Sequence, residues 1–321
     1  MENQHEKNIE KIKNAAPMSA PKIKNGDQKD KSSLFLGVFF IVLSAFFFSL
    51  MSVFVRYAGK LPTFQKALFR NSVAAIVSLI LLLKSGSMKM QKGSFLPLFF
   101  RSLAGTVGIV CNFYAIDHMP ISDASMFNKL SPFFTVIFSI FIIKERANLW
   151  DWLLVGFAFI GVLFVSRPSF NYAEILPPAI GLLGGIGAGI AYAFVRKLRN
   201  QGERSAVIVF FFSAFSCLAV IPFVIADHAP MTFAQVAWLL LAGGAASCAQ
   251  FSLTTAYKYA PAKELSVYDY SQVLFAAVWG MILFSEYPDV WSVIGYVIIL
   301  GAAILKWWFY RREKTKQPTH V

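Results

Sequence analysis

Long apolar stretches separated by short polar breaks run along almost the whole chain. A helix rises about 1.5 Å per residue, so about 20 mostly apolar residues cross a hydrocarbon layer roughly 30 Å thick. Ten stretches reach that length: 34–56, 64–83, 95–116, 121–143, 149–166, 177–195, 205–226, 232–257, 265–284 and 291–310. They predict ten transmembrane helices, and the connections between them are too short to hold a soluble domain. Residues 1–33 depart from the pattern. Lys7, Lys11, Lys13, Lys22, Lys24, Lys29 and Lys31 stand there against five acids with almost no aromatic content. Such a segment cannot bury enough apolar surface to offset the entropy of ordering it, so a disordered basic tail is expected. No short apolar core with a small-residue cleavage site precedes the first long run, so the tail is expected to be retained. Residues 311–321 form a second basic tail.

Composition fits an integral membrane protein: of 321 residues 57% are hydrophobic, 15% are charged and 33 are Phe, too little polar surface for a soluble chain. The net charge of +13 lies in the tails and the short breaks rather than on one patch, which argues against a nucleic-acid partner. Placed by the positive-inside rule with the N-terminus inside, the inner connections hold eleven basic residues: Lys84, Lys89, Lys92, Lys144, Arg146, Arg196, Lys197, Arg199, Arg204, Lys258 and Lys263. The outer ones hold four, Arg56, Lys60, Lys66 and Arg167. Ten spans with both termini cytoplasmic is self-consistent. Cys111, Cys217 and Cys248 lie inside apolar runs without metal-ligand spacing, and read as packing residues. No nucleotide loop, His-rich cluster or nucleophile constellation is present, so neither an ATP site, a cofactor, a bound metal nor an enzyme is expected.

The chain also repeats itself. A shift of 141 residues places Ala115 on Ala256, Pro120 on Pro261, Ser125 on Ser266, Glu145 on Glu286 and Trp150 on Trp291, and a shift of 140 places "VFVR" at 53–56 on "AFVR" at 193–196. Each half, 34–167 and 177–310, then holds five spans. An odd number inverts the second copy in the membrane, an arrangement suited to a machine with two related states.

The segment "FYAIDHMPISDASMFNKLSPFFTVIFSIFIIKERANLWDWLLVGFAFIGVLFV" and its second copy "AYKYAPAKELSVYDYSQVLFAAVWGMILFSEYPDVWSVIGYVIILGAAIL" resemble the paired EamA domains of the drug/metabolite transporter superfamily. The resemblance covers about residues 34–310. It implies two inverted five-helix bundles around a central cavity lined largely by the first, third and fourth helices of each half. It does not name a solute, since the family carries amino acids, nucleotide sugars, other organic anions and metabolites.

Charge deep in a bilayer is costly enough that each ionisable residue in a span needs a partner, water or a function. Lys129 lies eight residues, about 12 Å, into the fourth span, and could snorkel outward or face a cavity. Ser125, Asn128, Lys129 and Pro132 share one face of a continuous helix. Their mates on the ninth span include Asp269 and Tyr270, with Gln272 next to them. These two stripes either line a substrate site or pair with each other. Asp269 reads first as a solvated carboxylate or a partner of Lys263, and second as a proton-coupling site or a partner for a cavity cation. Arg70, with Asn71, reads first as a headgroup anchor. Arg101 is a stronger site candidate, because Asn112 and Tyr114 follow it on a span that the resemblance puts in the cavity wall, with Gln250 on the counterpart span. Glu145 and Glu286 read as caps or pairing residues, and "GLLGGIGAGIAYAF" from Gly181 as a tight-packing seam. Trp150, Trp291, Trp307 and Trp308 sit near span ends, as an aromatic belt would.

The expectation is a secondary transporter of a bacterial inner membrane that moves a small organic solute by alternating access, with a tilt toward an amino acid, organic acid or other anionic metabolite. The rival is a non-transporting structural or signalling protein on the same fold. The solute and the lipid bilayer are the expected partners; proton coupling and a homodimer stay open.

Overall fold

A computed structural model describes residues 25–85, 89–143, 149–166, 172–259, 265 and 268–316. The described chain is helical throughout, in the order α1 (Asn25–Tyr57), α2 (Thr63–Lys84), α3 (Phe95–His118), α4 (Ile121–Asn128), α5 (Ser131–Ile142), α6 (Leu149–Ser166), α7 (Tyr172–Asn200), α8 (Ser205–Ala226), α9 (Phe233–Tyr259), α10 (Ser271–Phe284) and α11 (Val290–Lys316). Glu145, Arg167, Pro261, Lys263 and Ser266 lie outside the described residues, as do residues 1–24 of the basic tail.

By length and composition eight helices can cross a membrane, among them Ile121–Ile142 counted through its break; Trp152–Gly161 and Ser271–Phe284 are shorter apolar helices. Two expectations change at the ends of the chain. Helix α1 starts at Asn25, inside the segment expected to be a disordered tail, and α11 runs on to Lys316. Extending a formed helix adds one hydrogen bond per residue fixed, so polar residues without a proline continue a helix that the apolar run has nucleated.

A larger change lies in the fourth span, expected to be one continuous helix. It breaks at Lys129 and Leu130, between α4 and α5. Pro132 sits in the first turn of α5, lacks an N–H, and its ring would collide with the Asn128 carbonyl if the helix ran on. The backbone tightens there: Leu130 N–H donates to the Phe127 carbonyl at 3.2 Å. In the ninth span a turn falls at Tyr270, the repeat mate of Lys129.

Helix packing crosses between the halves. Helix α1 lies against α9 and α10, α3 against α7, and α2 against α8, while α6 packs on α11. The Ser44 hydroxyl donates to the Ala249 carbonyl at 2.9 Å between α1 and α9, and Trp279 Nε1 to Ser49 Oγ at 3.1 Å between α10 and α1. The glycines of α7 form the seam expected of them. A Cβ on Gly185 would stand 2.4 Å from the Phe127 carbonyl oxygen and one on Gly189 2.4 Å from Phe134 Cβ, so α7 touches the broken span backbone to backbone. Trp150, Trp291 and Trp308 are on the exposed surface.

Candidate functional site

The bundle holds a cavity of about 60 Å³ lined from both halves. A water needs about 10–15 Å³ of such space, so this one has room for a few waters or a small polar group. Phe48 and Met51 of α1, Arg70 of α2, Arg101, Gly105 and Asn112 of α3, Asn128 of α4, Tyr192 of α7, Phe212 of α8, Gln250 of α9 and Gln272 of α10 contribute to its wall. The two halves therefore meet on the cavity with amide and guanidinium groups.

Arg101 is 3% exposed, and its guanidinium carbon lies 3.6 Å from the centre of the Phe212 ring. Its Nε and Nη1 have no hydrogen-bond partner among the described residues. Arg70, expected to be a headgroup anchor, is instead 1% exposed and faces the same cavity and the same ring, 5.8 Å from its centre. Its Nη1 donates to the Asn71 side-chain oxygen, and Asn71 Nδ2 donates to Ser216 Oγ at 2.7 Å, while Arg70 Nε has no partner among the described residues. Asn71 turns the guanidinium inward, which a search for headgroup anchors would not find. No carboxylate among the described residues forms an ion pair with either arginine. A cation over an aromatic face gains about 0.5–2 kcal/mol. Taking an ion out of water costs several kcal/mol. The ring therefore cannot make up the difference, and the site favours a negative charge that no ion pair among the described residues provides.

Beside the cavity, the two span breaks are joined by an ion pair. Lys129 Nζ stands 2.6 Å from Asp269 Oδ2, with both side chains almost out of reach of solvent. This corrects the preferred reading of Asp269 as a solvated carboxylate. The lysine has its acid, and the stripes of the two spans do pair with each other at this point. Asp269 Oδ1 and Gln272 Oε1 nevertheless lack hydrogen-bond partners among the described residues, and Asp269 lies within electrostatic reach of the cavity residue Tyr192.

Of the residues singled out in the sequence, Arg101, Asn112, Asn128, Gln250 and Gln272 line the cavity. Lys129 and Asp269 form the pair next to it. Ser125 is buried and accepts the Lys129 N–H on its carbonyl, which is a helix contact. Tyr270 is buried in the apolar cluster with Met126 and Leu130, its hydroxyl without a partner among the described residues. Tyr114 is not among the residues lining the cavity and stacks on His118, one turn further along α3. Tyr192 and Phe212 were not singled out, since one aromatic in an apolar run carries no separate signal.

One end of the bundle is held by charge. Arg56 Nη1 reaches Glu286 Oε1 at 2.6 Å, Glu286 Oε2 accepts the Ile121 N–H at 2.9 Å, and Lys66 Nζ reaches Asp117 Oδ1 at 2.6 Å. Glu286 thus caps α4 and pairs across the halves, both roles expected of it. Ser285, at φ 55°, ends α10 in the left-handed conformation and turns the chain so that Glu286 follows.

Comparison with known proteins follows the same architecture. The model of the EamA-like transporter family matches residues 35–167 and 178–308. The pseudopaline exporter CntI of Pseudomonas aeruginosa is 32% identical over 271 residues, 84% of this chain and 94% of that protein. Solute carrier family 35 member G1 of Mus musculus is 27% identical over 85% of this chain and 79% of its own length. The S-adenosylmethionine uptake transporter of Rickettsia prowazekii is 24% identical over 88% and 96%. A protein of known crystal structure superposes with a TM-score of 0.62 at 17% identity, over 88% of this chain and 99% of that one, a likeness of fold.

Proposed function

The chain belongs to the EamA-like transporter family, and from that premise we propose that it carries a small organic anion across a bacterial inner membrane by alternating access. It is a membrane transporter by family and by its relatives, which are themselves transporters. The observation that carries the anionic reading is the pair of buried guanidiniums, Arg70 and Arg101, on one cavity, neither in an ion pair with a carboxylate among the described residues. Arginine presents a planar fork that matches carboxylate or phosphate. The relatives' names describe an exporter and an uptake system, so direction is left to experiment.

In this proposal the two matched segments are inverted five-helix halves, ten spans in all with both termini cytoplasmic, and alternating access rocks one half against the other. Asp269 is the candidate coupling group if protons drive the cycle, because the Lys129 contact leaves its second oxygen unpartnered. The test is transport by purified protein in proteoliposomes loaded with labelled malate, glutamate, lactate, glucose 6-phosphate or phosphate, or with the neutral solutes alanine or glucose. Arg101→Gln is expected to lower anion flux at least about tenfold, the loss of one charge-assisted contact. Transport of neutral solutes alone, untouched by Arg101→Gln and Arg70→Gln, would overturn the reading.

A further inference from the structure

Outside the central cavity, at the end of the bundle where α2 and α7 stop and α3 and α8 start, two connections from different halves are clasped together. The Glu203 carboxylate, fully buried, accepts the Gln91 N–H at 2.9 Å and the Arg204 N–H at 3.1 Å. The Arg204 guanidinium reaches back to Ser85 Oγ at 3.3 Å and to the Lys89 carbonyl at 3.2 Å, and Arg199 Nη1 donates to the Glu203 carbonyl at 2.9 Å. The clasp gathers cations that lie more than a hundred residues apart in the chain. Residues 84–94 and 197–205 hold Lys84, Lys89, Lys92, Lys197, Arg199 and Arg204 against one acid, Glu203, whose carboxylate is already used inside the clasp. Lys84, Lys89 and Lys92 are exposed.

We infer that this clasp is a binding site for an anionic phospholipid. Two helix starts converge on it, and neither Ser94 before α3 nor Arg204 before α8 makes a side-chain capping bond. The Ser94 hydroxyl is buried and has no partner among the described residues. The N-terminal end of a helix carries unbonded N–H groups and partial positive charge, which favour a phosphate. Leu83, Met90, Phe95 and Leu96 stand exposed on the same segments, an apolar edge that acyl chains would cover and a soluble acidic partner would not need. Helices α2 and α3 are each long enough to cross a membrane, so their junction falls at the depth of the headgroups, where phosphate is concentrated by the bilayer itself. Orienting the spans needs only the charges. Holding those charges together beside uncapped helix ends lowers the cost of ordering them around a headgroup.

The experiment is binding of acyl-labelled fluorescent phosphatidylglycerol to the purified full-length protein in detergent, competed with unlabelled phosphatidylglycerol, phosphatidylcholine or soluble glycerol 3-phosphate. Saturable binding is expected, with a competition midpoint for phosphatidylglycerol at least about fivefold below that for phosphatidylcholine, since each basic residue at the headgroup adds to the attraction. Glycerol 3-phosphate is expected to leave the labelled lipid in place. Lys84→Gln, Lys89→Gln and Lys92→Gln together keep the clasp, because Lys89 enters it through its carbonyl, and should bring the two lipids within about twofold of each other. Arg311→Gln, Arg312→Gln and Lys314→Gln together remove as many cations from the C-terminal tail and should leave the full preference. No saturable binding, equal midpoints in the unaltered protein, or an equal loss in the tail variant overturns the site. Displacement by glycerol 3-phosphate as effective as by phosphatidylglycerol overturns the assignment to a lipid.

Discussion

Replacing Lys129 by methionine keeps the length of the apolar stem and removes the ammonium. Asp269 Oδ2 then loses a partner at 2.6 Å, and Oδ1 has none to begin with, so a carboxylate with 10% of its side chain exposed is left without a counter-charge. Breaking a buried pair from one side costs about 3–5 kcal/mol, whereas replacing both partners with apolar residues of similar size is about neutral. Lys129→Met and Asp269→Leu should each destabilise the protein by that amount, and the double variant should return close to the starting stability. The assay is thermal unfolding in one detergent, analysed as a double-mutant cycle with a coupling energy of at least about 2 kcal/mol. Single variants within about 0.5 kcal/mol of the unaltered protein, or a double variant as unstable as the sum of the two, would refute the reasoning. Transport by the folded double variant then asks separately whether the pair takes part in the cycle.

Gly185→Ala would press a methyl to 2.4 Å from the Phe127 carbonyl oxygen, which cannot swing away as a side chain can; a loss of about 1–3 kcal/mol in thermal unfolding is expected. Glu286→Ala removes both the Arg56 contact and the cap on the Ile121 N–H, and should lower stability by about 1–2 kcal/mol, with part of the loss recovered by Glu286→Gln. Pro132→Ala restores a backbone N–H and removes the ring that breaks the fourth span; transport should fall as Asn128 and Lys129 rotate with a straightened helix, and the protein should melt lower as that rotation draws Lys129 away from Asp269. Unchanged flux in that variant would show that the break has no part in the cycle.

The helical class and most of the span positions could be read from the sequence, because uninterrupted apolar runs of about 20 residues have few other uses. Glu286 was legible as a capping or pairing residue through the repeat, which matched it to Glu145 at a helix end, while its partner Arg56 came only from the fold. The break at Lys129 was signalled by Pro132, but treating Ser125 through Pro132 as one helical stripe concealed it. Arg70 and Asp269 were read too plainly for the same reason. Depth along a helix can be counted in the sequence, while the direction a side chain takes around it depends on neighbours such as Asn71 and Lys129 that only the folded bundle supplies. The site's aromatic floor, Phe212, is one of 33 phenylalanines, and nothing in its own surroundings along the chain distinguishes it.

The crossing of helices between halves also sets the order in which the molecule can be assembled. Helix α1 rests on α9, and Arg56 and Lys129 find their acids at Glu286 and Asp269. At a synthesis rate of about 5–20 residues per second, α1 enters the bilayer roughly 10–35 s before α9 exists. During that interval the face it turns to α9 has only lipid or a membrane chaperone against it. The first matched segment is thus a waiting intermediate rather than a finished bundle, and two half-chains made separately should become protease-resistant only when they are produced together.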